Sequence, residues 1–235
     1  MYRITDIVKH LLIINVLMYF GTMLMGDPAS NLMLDLINEQ NTDVSYWGRY
    51  RLAMFFPTSM YFEPYQIITH MFMHSNVSHL FFNMFAVFMF GPPLEISWGP
   101  KRFLFYYLVT GFGAMALHLF VSYLELQSGS VPMMSKNVPM LGASGAVFGL
   151  LVGYGMLYPN NVLQLIFPPI ALKAKYFVII YAAIELFLGL GQFSTGVAHF
   201  AHLGGALFGF LLILYWRNSG TDGNFGGGSQ FQRWD

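Results

Sequence analysis

Six stretches of this chain are apolar for about the length a helix needs to cross a lipid bilayer, and nothing else in the sequence limits the fold as much. A spanning helix takes roughly 20 residues, with about 17 as the lower limit. The candidates are Ile7–Met25, Val77–Leu94, Phe103–Leu124, Val138–Tyr158, Tyr176–Leu190 and Val197–Trp216, the fifth being the shortest. Only 9% of the 235 residues are charged and 56% are hydrophobic, whereas a soluble domain is about a quarter charged. Such a chain lacks the polar groups to cover a water-facing surface. An all-α, polytopic membrane protein with six transmembrane helices is expected. The formal net charge is zero, so nothing points to nucleic acid as a partner. With no cysteine, disulfides and cysteine metal sites are excluded.

The connecting segments refine this picture. Arg3 and Lys9 flank the first apolar run, but the GDPAS that follows Met25 offers no small-x-small cleavage site, so the run reads as a retained span. The first loop, Gly26–Asn76, contains YWGRYRLAMFFPTSMYF, aromatic and half apolar, which suits a segment lying at the membrane interface. NVLQLIFPPIALKAK also reads as interfacial, with Pro168 and Pro169 preventing a continuous helix. After Trp216 the glycine-rich GTDGNFGGGSQ is expected to be disordered. The division is therefore a membrane domain, 1–216, and a tail, 217–235. With the N-terminus inside, Arg3, Lys9, Lys101, Arg102, Lys173, Lys175, Arg217 and Arg233 are cytoplasmic, and Arg49, Arg51 and Lys136 are outside. The positive-inside rule favours that orientation, with both termini cytoplasmic.

Polar groups inside spans are costly and mark function. His79 and Asn83 open the second span, Ser144 lies early in the fourth, and His199 and His202 begin the sixth. These three spans share one direction. At about 1.5 Å per residue, all five side chains fall at one depth of very roughly 10 Å. A hydroxyl, imidazoles and an amide at one level match a nucleophile, a base and oxyanion donors. The hydroxyl and its base must approach to about 2.6–3.2 Å. Small residues permit that: Gly145, Gly149 and Gly153 recur every four residues, and His202, Gly205 and Gly209 lie on one stripe.

GASG at Gly142–Gly145, AHLGGALFG at Ala201–Gly209 and HLFFN at His79–Asn83 resemble three motifs of the rhomboid intramembrane serine proteases, in the right order and on the right spans. The resemblance extends from the first span to Arg217, and a chain of six spans is similar to the common bacterial form, which implies the inner membrane. It implies Ser144 as nucleophile and His202 as general base, acting as a dyad without a buried Asp beside them. It implies His79 and Asn83 as oxyanion donors, with backbone N–H groups near Ser144. Gly142, Gly145, Phe148, Gly205 and Gly209 would support the site, Phe148 against the ring of His202. Substrates would be membrane proteins with a transmembrane segment, reached within the bilayer through a gate between spans two and five. Span five leads into Gly191–Gly196, a loop able to move as a lid. No cofactor and no metal are implied. EPYQ at Glu63–Gln66 departs from the family's Trp-Arg and removes any arginine-based bracing of the first loop.

A non-catalytic relative that binds membrane helices would lack the serine or the histidine, and this chain has both. A histidine-based transporter would need an inner pathway, and the inner halves of the spans are nearly all apolar. His70 and His74 have metal-ligand spacing but no carboxylate partner, so they read as braces of the first loop. His199 reads as structural. Glu185 reads as hydrogen-bonded to a neighbouring helix, and Glu95 as a tie at the cytoplasmic end.

Overall fold

The computed structural model describes residues 4–25, 48–164, 169–191 and 198–219. The expected disorder of the tail, the break at Pro168, the lid at 192–196 and the start of the first loop lie outside the described residues.

Among the described residues, the long helices are α1 (Asp6–Met23), α2 (Val77–Trp98), α3 (Pro100–Ser128), α4 (Ser144–Leu157), α5 (Ala174–Leu190) and α6 (His199–Asn218). Among the described residues, α1, α2, α3 and α6 are long and apolar enough to cross a membrane. Large apolar side chains on these helices are exposed, among them Leu17, Ile96 and Tyr215.

The termini of these helices follow from local chemistry. The Asn76 side chain accepts from the His79 N–H at 2.8 Å and caps α2. That helix carries Pro92 and Pro93 and still runs to Trp98. Gly99, at φ +79°, turns the chain, and Pro100 opens α3 at a position whose N–H has no helical partner in any case. The carboxylate of Glu95, near the end of α2, accepts from Ile7 N and Val8 N, both at 3.0 Å, and from the Thr5 hydroxyl. It therefore caps α1 and ties the start of that helix to the end of α2.

One expectation needs correction. The fourth apolar run is helical only from Ser144, not from Val138. Met140 instead forms an antiparallel bridge with Met54, both N–H···O bonds at 2.8 Å, and Gly142 takes φ +129°. The fold is mostly helical, as expected, and also holds one short hairpin. Between α4 and α5, β1 (Val162–Gln164) pairs antiparallel with β2 (Ala171–Lys173).

The core is set by glycine contacts among α3, α4 and α6. A Cβ on Gly205 would lie 1.8 Å from the carbonyl oxygen of Gly145, and one on Gly145 would lie 2.2 Å from Cβ of Ala114. One on Gly209 would meet the Tyr106 hydroxyl at 2.5 Å and Cα of Gly149 at 3.2 Å. Backbones at this range gain dispersion contacts that larger side chains would forbid. Tyr106, fully buried, donates its hydroxyl to the Gly149 carbonyl at 2.7 Å.

The first loop, from Gly48 onward, is braced by Gln66. Its Nε2 donates to the carbonyls of Arg51 (3.1 Å) and Tyr61 (3.0 Å). Its Oε1 accepts from Glu63 N (3.1 Å) and Phe55 N (3.4 Å). A buried amide thus satisfies four backbone groups of this loop. Ser59 donates to Asn137 at 2.8 Å and fastens the loop to the segment leading into α4.

Candidate active site

The start of α4 is placed by this loop. Gly142 N donates to the carbonyl of His70 at 3.0 Å. The His70 ring is itself held by a 2.8 Å contact between Nδ1 and the Gln66 carbonyl. At Gly142 a side chain is excluded twice: φ is positive, and a Cβ would lie 2.9 Å from Cε1 and 3.0 Å from Nε2 of His79. The same point is 3.5 Å from Oγ of Ser144. The serine hydroxyl and the His79 Nε2 edge therefore flank one small volume. Ser144 is the first residue of α4, so the first N–H groups of the helix lack intrahelical acceptors there.

His79 is oriented from behind. The backbone N–H of Ser75 donates to Nδ1 at 3.4 Å, and Ser75 Oγ lies at 3.1 Å. That places the ring hydrogen on Nε2, the edge facing Gly142. Asn83, one turn further along α2, donates Nδ2 to the His79 carbonyl at 2.8 Å. Ser144, His202, His79, Asn83, Gly142, Gly145 and Phe148 all line one cavity of about 680 Å³. Phe148 lies parallel to the His202 ring, centroids 4.3 Å apart and planes 9° apart. Gly205 and Gly209 form the close contacts described above rather than the cavity wall.

No group of three or more His, Asp or Glu side chains that could hold a metal ion occurs among the described residues. His74 is fully buried against His79, ring centroids 5.1 Å apart, with neither ring nitrogen hydrogen-bonded among the described residues. Burial, reinforced by the His79 imidazole, pushes His74 down to about 3, so it stays neutral. Glu185 reaches a neighbouring helix, as expected, but the sequence did not say which residues it meets. The Glu185 carboxylate on α5 lies 2.6 Å from Nδ1 of His199 and 3.1 Å from Nδ1 of His202. An acid inside an apolar span was the available signal. The role of Ser75 in orienting His79 carried no such signal.

The family model for the Rhomboid domain matches residues 61–219. The chain belongs to the rhomboid family. This rhomboid is 27% identical over 216 residues to Rhomboid protease AarA of Providencia stuartii, covering 87% of the present chain and 70% of that protein. It is 35% identical over 150 residues to the mitochondrial RHOMBOID-like protein 6 of Arabidopsis thaliana, covering 64% of the present chain and 43% of the relative. Against the mitochondrial Presenilin-associated rhomboid-like protein of Bos taurus, identity is 32% over 160 residues, covering 63% and 38% of the two chains. This rhomboid thus spans less than half the length of those two relatives. With its apolar helices, family membership makes it a multi-pass membrane protein.

Proposed function

We propose that this rhomboid is an intramembrane serine endopeptidase. It cleaves membrane proteins in or near a transmembrane segment, with Ser144 as nucleophile and His202 as general base. One observation carries the reading: a single cavity is lined by Ser144, His202, His79 and Asn83, side chains from three helices. In the reaction, Ser144 Oγ attacks the scissile carbonyl while His202 Nε2 takes the hydroxyl proton and passes it to the leaving amine. The oxyanion meets His79 Nε2–H and the free N–H groups at the start of α4, with Asn83 holding the turn that carries His79. Phe148 limits rotation of the His202 ring. Water entering from the cavity mouth hydrolyses the acyl-enzyme, and this chemistry requires no cofactor.

All six long helices lie in the bilayer in this reading, with both termini cytoplasmic. Phe82 of α2 and Phe177 and Tyr181 of α5 wall the cavity, which supports substrate entry between those helices. The test uses purified protein and a single-span substrate in detergent. Ser144→Ala and His202→Ala each abolish cleavage, and the double variant is no worse, because the two groups act as a unit. A fluorophosphonate labels Ser144 only when His202 is present. Full activity without Ser144 sinks the proposal.

A further inference from the structure

We infer that Glu185 is a positioning residue for His202, turning the Ser144–His202 pair into a relay of three groups; the inference rests on the protease reading above. Glu185 lies on α5, and its side chain is 6% exposed. Oε2 lies 2.6 Å from Nδ1 of His199 and 3.1 Å from Nδ1 of His202, on adjacent turns of α6. An ionised carboxylate in an apolar bundle needs donors, and among the described residues these two imidazoles approach it.

His202 needs a partner on that side too. Its Nδ1 is buried and makes no hydrogen bond to any described group; the approach to Oε2 is close enough but out of line. Catalytic hydrogen bonds are often poorly aligned before substrate binds and tighten in the complex. Turning the ring in its own plane, the motion that stacking on Phe148 leaves free, aims Nδ1–H at the oxygen.

The chemical consequence follows from the two ring nitrogens. With the hydrogen on Nδ1 and donated to Glu185, Nε2 carries a lone pair, as a base acting on Ser144 requires. When the Ser144 O–H bond breaks and Oγ bonds to the carbonyl carbon, the proton goes to Nε2 and the ring becomes an imidazolium. The carboxylate stays ionised and offsets that charge. The proton then leaves on the amine product, and His202 returns to its starting tautomer. No proton moves to Glu185 itself.

A merely structural reading is available: Glu185 fastens α5 to α6 through His199. The experiment separates the two. Full-length wild type, Glu185→Gln, His199→Gln and Ser144→Ala are assayed in detergent on a single-span substrate, with folded fraction measured for each. Glu185→Gln should lower kcat by roughly 10²–10⁴-fold with little change in KM, the scale on which an amide in place of the carboxylate misorients a catalytic imidazole. Fluorophosphonate labelling of Ser144 should slow in parallel. His199→Gln should cost under about tenfold, since Oε2 then serves His202 alone. In ¹⁵N-histidine NMR of wild type, the signal missing from His202→Ala should report the Nδ1–H tautomer. Glu185→Gln should convert it to Nε2–H.

A kcat for Glu185→Gln within threefold of wild type overturns the inference. So does a loss that only tracks folded fraction, or an Nε2–H tautomer in wild type. The tautomer reading on wild type decides the matter even if Glu185→Gln does not fold. A wild type that neither cleaves nor is labelled at Ser144 sinks the protease reading and this inference with it. Cleavage by wild type that Glu185→Gln equals sinks this inference alone.

Discussion

Gly205→Ala is the substitution for which the structure gives the sharpest expectation. The new Cβ would stand 1.8 Å from the carbonyl oxygen of Gly145 and 2.7 Å from its carbonyl carbon. Carbon and oxygen do not ordinarily approach closer than about 3.3 Å, so α4 and α6 must separate locally by about 1.5 Å. Neither atom belongs to a side chain that can swing away. Gly145 follows Ser144 directly, and Gly205 lies three residues after His202, so the displacement falls on the two proposed reacting groups. A misplacement of about 1 Å costs on the order of 10²-fold in rate, and overpacking costs typically 1–3 kcal/mol in stability. Gly205→Ala should therefore lose at least about 100-fold in cleavage of a single-span substrate while still folding. Gly21→Ala is the control: nothing lies within 4 Å of its added Cβ, so both activity and thermal stability should be unchanged. A Gly205→Ala protein with wild-type cleavage would refute the reasoning, because the helices would then be shown to part without disturbing the site.

Three further outcomes are expected. Gln66→Ala removes the partner of four backbone groups, two of them buried, and should cost about 2–4 kcal/mol by thermal unfolding; an unchanged transition would mean that the first loop is held by other contacts. Glu95→Ala removes the acceptor of two α1 N–H groups and should cost about 1–2 kcal/mol, and protease digestion should then reach the start of α1 sooner. His74 takes up no proton in the folded chain until about pH 3, against an ordinary value of 6.5, so its contribution is complete above about 6.5 and declines as acid is added. Between pH 6 and 4 stability should fall by up to about 1.4 kcal/mol per unit from this group alone, and His74→Phe should flatten the slope; an identical slope in that variant would contradict the assignment.

The helix order and the gathering of Ser144, His202, His79 and Asn83 around one cavity were legible because apolar length and polar exceptions are one-dimensional signals. The start of α4 was not. Val138–Leu141 is as apolar as the helix it precedes, and only the Met54–Met140 bridge, a contact between distant segments, shows that it is extended. The bracing by Gln66 was equally hidden, since its partners are main-chain groups placed by loop geometry. Glu185 could be flagged as an unusual acid. Its approach to His202 depends on the register between α5 and α6, which the intervening chain leaves open. By contrast, the stripe of Gly145, Gly149, Gly205 and Gly209 was readable because small residues at helical spacing have few other uses in an apolar segment.

α4 has 14 residues, which at about 1.5 Å per residue gives a rod of about 21 Å, against a hydrocarbon layer about 30 Å thick. A lipid-facing helix of that length would suffer hydrophobic mismatch and would tilt or thin the bilayer around it. α4 is excused from this, because every residue from Gly145 to Leu157 except Tyr154 is buried among its neighbours. Its length is therefore set by protein contacts and not by the membrane. With all six long helices in the bilayer, as proposed above, thicker lipids shift the adjustment onto the outer helices, including α5 with its 17 residues, while α4 keeps its place relative to α3 and α6. Under the proposed function, lipid chain length then becomes a variable acting on how substrate arrives, separable from the chemistry at the end of α4.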